Sequence, residues 1–203
     1  YRRAREKVKT QTWYALLLDS LGQGYDRAII CDAKDAASPL ADLKVGQWSE
    51  TIIREFQPAS GPRRAAFRFK LMELSADGEH FALYRTALCA LEGWDFPAGL
   101  AAELPLRGLP LPYPGYDAIK LGWIDVPTLN EIVDLAHEWL GEVSHYLVTN
   151  KEWHVYYMHV HTPDWAYHAF ANMVDPQLAP SAGEYQKYLA ADIHMYEGLD
   201  RLM

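Results

Sequence analysis

Five of the eight histidines fall within residues 145–168: His145, His154, His159, His161 and His168. Imidazole nitrogens near a carboxylate form the donor set of zinc sites and the acid–base pairs of hydrolases. The densest stretch reads Trp153-His154-Val155-Tyr156-Tyr157-Met158-His159-Val160-His161-Thr162-Pro163-Asp164-Trp165-Ala166-Tyr167-His168. Asp164 and His168 are four apart, so on a helix they project from one face, one turn apart. One oxygen and one imidazole nitrogen converging there make half of a zinc site. His159 and His161, two apart on an extended segment, share a face and can aim at the same place. The same residues also have structural uses. Asp164 can cap a helix, His168 can pack beside Trp165, and His159 and His161 can be hydrogen-bonded core histidines.

Those residues need elements to hold them. Residues 151–160, rich in Trp, Tyr and Val, read as a buried strand ending near His161. Pro163 breaks it and a helix begins, with Asp164 near its start. Before it, Thr128-Leu129-Asn130-Glu131 reads as a capping box. Ile132, Leu135, Ala136, Trp139, Leu140 and Val143 then follow at helical spacing to about residue 149. A last helix is expected over residues 183–202.

The first half has a different character. Residues 12–18, 27–32 and 47–56 read as strands, residues 34–43 as a loop and residues 58–64 as a turn. Phe67, Phe69 and Leu71 alternate with Arg68 and Lys70, and Phe81, Leu83, Ala87 and Cys89 alternate on the far side of Asp77-Gly78. That is a β-hairpin with one apolar face. Gly22-Gln23-Gly24 is a turn; it lacks the Lys-Ser/Thr or third glycine of a phosphate loop. Residues 94–127, with Pro97, Pro105, Pro110, Pro112, Pro114 and Pro127, form a long irregular bridge. The expected organisation is α/β or α+β, with a β-rich lobe and bridge over 1–127 and a helix–strand–helix portion over 128–203. A lone strand cannot form a sheet unaided, so the 151–160 segment must find partners elsewhere.

Composition narrows the function. The chain has 203 residues, a formal charge of −8, and is 50% apolar. That excludes a disordered tail or coiled coil. The acidic balance argues against a nucleic-acid-binding surface. No run has the roughly 18 apolar residues of a membrane span. Cys31 and Cys89 make no zinc or redox motif, which favours a reducing, cytoplasmic setting. The basic leader of residues 1–9 reads as a solvated helix face. The absence of an initiator Met and the stop at Met203 in mid-helix pattern point to a piece of a longer protein.

The order of strand, Pro163-Asp164-x-x-x-His168, Asp175-Pro176 and Tyr196-Glu197-Gly198-Leu199-Asp200 resembles the type I phosphodiesterase/nucleotide pyrophosphatase group of the alkaline phosphatase superfamily. The likeness covers roughly residues 150–203. It implies that Asp164 and His168 bind one of two catalytic zinc ions, with His161 and His159 as supporting groups behind them. It also implies a phosphoester small-molecule substrate and an alkaline-phosphatase-like mixed sheet. The group's Thr or Ser nucleophile, its Ser-Asp-His-Gly element and the last His of its first site have no counterpart in this sequence. No catalytic nucleophile is therefore assigned. The resemblance places the missing parts in the remainder of the same polypeptide, and residues 1–127 become an insertion or cap. Trp48, Trp94 and Trp123 are that cap's candidate aromatic surfaces. Two other readings use the same residues. One is a non-enzymatic module that binds a ligand or partner through aromatic loops. The other is a self-contained metal enzyme built on His159, His161, Asp164 and His168.

Overall fold

The computed structural model describes residues 10–58, 60–104 and 117–203. The basic leader and most of the prolines of the bridge lie outside the described residues. The fold is α+β, with antiparallel strands first and the long helices after them. The chain divides into two compact units, Tyr1–Glu103 and Leu104–Met203. The division falls inside the 94–127 stretch.

Among the described residues the first unit holds eight short strands: β1 (Tyr14–Leu18), β2 (Arg27–Cys31), β3 (Ala41–Lys44), β4 (Ile52–Phe56), β5 (Arg63–Phe67), β6 (Phe69–Leu74), β7 (Phe81–Arg85) and β8 (Cys89–Ala90). They form the antiparallel sheets β1-β2-β3, β4-β5-β8 and β6-β7. Alternate residues point into one shared core, in which Ala28, Ile30, Leu43, Ile52, Phe56, Phe67, Phe69 and Leu71 are buried together. The Trp13 ring lies 5.6 Å from Phe67 and 5.3 Å, edge-on, from Phe69. Backbone bonds join the β3–β4 connection to β6: Gly46 N–H to Leu71 O at 2.8 Å and Ser49 N–H to Phe69 O at 2.7 Å.

The hairpin is β6-β7 only. Phe67 belongs to β5 and Cys89 to β8, and these two strands pair with each other. β3 lies in the expected loop of residues 34–43 and beyond it, and β5 begins inside the expected turn of residues 58–64. The strand expected over residues 47–56 is regular only from Ile52, with Trp48 making a single bridge to Lys70. The Gly22-Gln23-Gly24 segment is a turn, and Gly24 has φ +108°. A Cβ at Gly24 would stand 2.6 Å from the Ala76 Cβ, so the close approach of two loops requires glycine there.

The second unit holds α1 (Asp117–Lys120), α2 (Val126–Asn150), α3 (Thr162–Phe170) and α4 (Ala182–Leu202). α2 starts earlier than the Thr128–Glu131 box implies. Asp125 is its cap, accepting from the Thr128 N–H at 2.9 Å, and Pro127 sits in the first turn. A carboxylate complements the helix dipole, and Pro lacks the N–H that has no partner there anyway. α4 is capped by Ser181, whose hydroxyl accepts from the Glu184 N–H at 3.2 Å. Its buried residues Tyr188, Ala191, Met195 and Gly198 recur at helical spacing and face α2 and α3. The buried face of α3 is Trp165, Ala166, Ala169 and Phe170, with Phe170 5.3 Å from the Tyr188 ring.

The strand expected over residues 151–160 does not form. The segment is extended and its side chains alternate from Tyr156 onward, yet no strand of the second unit pairs with it among the described residues. Tyr156 donates its hydroxyl to Ser144 Oγ at 2.8 Å, which lays the segment along α2. Val155 and Tyr157 are each 84% exposed. Composition favoured a strand, but a strand needs a neighbour to take its backbone bonds. No helix among the described residues is long and apolar enough to cross a membrane.

Candidate metal centre

The Pro-Asp-x-x-x-His spacing does what the helix periodicity requires. α3 buries one face and turns Asp164 and His168 outward from the other. The Asp164 carboxylate is divided between two imidazoles. His161 Nε2 lies 3.2 Å from Oδ2, and His168 Nε2 lies 3.6 Å from Oδ1. All three side chains are about half exposed. The placement suits Asp164 for a second reason, because a carboxylate in the first turn complements the helix dipole. His159 and His161 alternate outward from the extended segment, with ring centroids 5.4 Å apart.

Asp164 and His168 together offer one carboxylate oxygen and one imidazole nitrogen. Tetrahedral zinc with bonds of about 2.0–2.2 Å holds neighbouring donors about 3.3 Å apart. The His161–Oδ2 separation of 3.2 Å and the His168–Oδ1 separation of 3.6 Å lie on either side of that value. His161 engages the other carboxylate oxygen. Among the described residues no group of three or more His, Cys, Asp or Glu side chains is arranged to hold a metal ion. Of the four residues His159, His161, Asp164 and His168, contacts join His161 and His168 to Asp164 and His159 to His161.

The other singled-out aromatics have definite places. Trp165 is buried in the second unit's core, 4% exposed. Tyr167 hydrogen-bonds Tyr196, which, with burial and the nearby Asp192 charge, pushes its phenol up to about 12. Trp48 packs on Tyr84 with the Lys70 ammonium 5.5 Å above its ring. Trp94 donates its indole N–H to Ala90 O at 2.8 Å. Trp123 is exposed but belongs to the second unit, not the β-rich one. Both cysteines are free thiols; burial pushes the Cys89 thiol up to about 11.

A second polar cluster has no forerunner in the sequence reading. A cavity of about 410 Å³ is lined by residues of α2 and α4, including Asp134, His137, Glu138, Gly198 and Arg201. His194 Nε2 lies 2.9 Å from each Asp134 oxygen, and the Arg201 guanidinium lies 3.5 Å from one of them. His137 is buried, with Nε2 2.7 Å from Thr162 Oγ1 and Nδ1 without a partner. Burial holds this imidazole below its ordinary range, helped by the Arg201 and His194 charges and opposed by Asp134. The cluster joins residues about sixty positions apart, which no local spacing rule reveals. The Ser181–Glu184 cap was visible as a Ser-x-x-Glu pattern and would have set the register of α4.

No protein-family model, curated protein or solved structure significantly matches the chain.

Proposed function

We propose that Asp164 and His168 hold one divalent cation, with zinc as the best-fitting metal, in a two-metal phosphoester hydrolase. The proposed enzyme is of the type I phosphodiesterase/nucleotide pyrophosphatase kind. The observation that carries the reading is the divided Asp164 carboxylate: one oxygen stands beside His168 Nε2, and the other is engaged by His161. The extended segment 151–161 supports it. Its exposed Val155 and Tyr157 are what a strand awaiting neighbours in a larger, alkaline-phosphatase-like mixed sheet would show. In this scheme the nucleophile and the remaining ligands lie in other residues of the same polypeptide, and the β-rich unit is a cap that shapes substrate choice.

When bound, the cation supplies Lewis acidity to a phosphoryl oxygen, the role of one metal of a pair about 4 Å apart. The chain's own residues do the positioning. Asp164 contributes the negative charge and His168 the neutral nitrogen. The His161 ring nitrogen orients Oδ2 so that Oδ1 remains directed toward His168. The buried face of α3 keeps the outward face from rotating.

Two ligands bind metal weakly, and without a nucleophile they turn nothing over. Equilibrium dialysis of zinc against the 203-residue chain is expected to show one weak site. Asp164→Ala and His168→Ala should each abolish it, and the chain should show no turnover of a phosphodiester such as bis(p-nitrophenyl) phosphate. Zinc uptake unaffected by both substitutions would overturn the proposal. So would appreciable phosphodiester turnover by this chain alone.

A further inference from the structure

We propose that His137 and Thr162 form a positioning clamp that sets the bearing of Asp164 and His168. The imidazole on α2 fixes the first residue of α3 through a slot that the glycine at position 198 of α4 leaves open. The clamp's consequence for metal rests on the function proposed above; its geometry does not.

Thr162 is fully buried, and His137 is 5% exposed. Their 2.7 Å separation lies at the near end of the ordinary hydrogen-bond range. On its other side the ring abuts Gly198, where a Cβ would stand 2.5 Å from Nδ1 and 3.1 Å from Cε1. The imidazole thus meets Thr162 at Nε2 and Gly198 at its Nδ1 and Cε1 side. α3 packs chiefly on α4 and α1, and this bond ties it to α2 as well. Thr162 stands between His161 and Asp164. The turn that contains all three is closed by the Trp165 N–H to His161 O bond at 3.0 Å. Pro163 fixes one backbone angle inside that turn. A shift of Thr162 therefore moves His161 and Asp164 together, and His168 follows one turn later.

His137 touches no ligand donor, so it is a positioning residue. A purely structural bond would lower stability without a specific effect on the metal pair. The test follows cobalt(II) uptake by d–d absorption together with hydrogen exchange at the Trp165 amide, both in the full 203-residue chain. Thr162→Val, which keeps the shape and removes the hydroxyl, is expected to weaken cobalt binding by about tenfold or more, the scale for groups behind metal ligands. It should also speed Trp165 exchange. Thr162→Ser should restore both. Ala191→Gly, at a buried position elsewhere on α4, should lower stability and leave cobalt affinity unchanged. A folded Thr162→Val with unchanged affinity and exchange overturns the clamp, as does equal weakening by Ala191→Gly. If the parent chain takes up no cobalt, the metal reading falls. Trp165 exchange then decides the clamp, where faster exchange in Thr162→Val but not in Thr162→Ser supports it and no change overturns it. Should Thr162→Val fail to fold, Thr162→Ala against Thr162→Ser makes the same comparison.

Discussion

Gly198→Ala and Gly141→Ala are the same substitution on two helices of one unit, and the structure assigns them opposite signs. Helix propensity alone favours both, by about 1 kcal/mol for Gly to Ala in a helix interior. At Gly141 on α2 the new methyl meets only the Leu202 Cδ1 atom at 3.4 Å, the movable end of a side chain. A gain of up to about 1 kcal/mol is expected there. At Gly198 the methyl would stand 2.5 Å from His137 Nδ1. The ring cannot retreat, because its Nε2 is held by a Thr162 hydroxyl that is itself fully buried. Overpacking of this kind costs about 1–3 kcal/mol, and driving the ring off Thr162 strands two buried polar atoms at a further cost of about 1–3 kcal/mol. Set against the propensity gain, the net loss is about 1–5 kcal/mol. Urea unfolding followed by far-UV circular dichroism reads the right unit, because among the described residues every α-helix lies in residues 104–203. A Gly198→Ala variant as stable as Gly141→Ala would refute the proposed contact between α2, α3 and α4.

Phe67→Ala removes a fully buried ring that meets Trp13, Phe56 and Phe69 within 6 Å. It should cost about 3–5 kcal/mol in the first unit, read as a lowered melting transition in near-UV dichroism; a loss below about 1 kcal/mol would mean that the three sheets do not share a core. His137 contributes a pH dependence of known sign. Its folded imidazole binds a proton less readily than the free side chain, whose ordinary value is 6.5. The unfolded chain therefore takes up the proton first as pH falls. The stability of the second unit should decline below about pH 6.5 and level off once the folded ring is itself protonated. Comparing urea midpoints of the parent and His137→Gln across that range checks it, since the variant should lose this part of the slope.

Local patterns were readable wherever one element decides its own form. The β6-β7 hairpin alternates over Phe69–Leu71 before the register shifts between Leu71 and Glu73, with Asp77-Gly78 at its bend, and the α2 and α4 regions show helical spacing. β3 has only Ala41 and Leu43 to alternate with Asp42 and Lys44, too short a run to separate from a loop. β5 begins with Arg63-Arg64, whose charges mask the buried Ala65, Ala66 and Phe67 that follow. The segment 151–160 shows the opposite failure. Its Val and Tyr content matches a buried strand, but burial and pairing depend on neighbours that composition does not contain.

The candidate site divides along the same line. Asp164 and His168 were found because both lie on α3, where spacing alone puts them on one face. His137, Thr162 and Gly198 come from three helices, and their meeting depends on how α2, α3 and α4 pack. Gly198 shows the difference most clearly. In the sequence it is one letter of Tyr196-Glu197-Gly198-Leu199-Asp200, a glycine placed where helix propensity disfavours it. In the fold it is the only side-chain size that leaves room for a buried imidazole holding the start of α3. The local cost of that glycine is thus offset by a contact made sixty-one residues back along the chain, at His137.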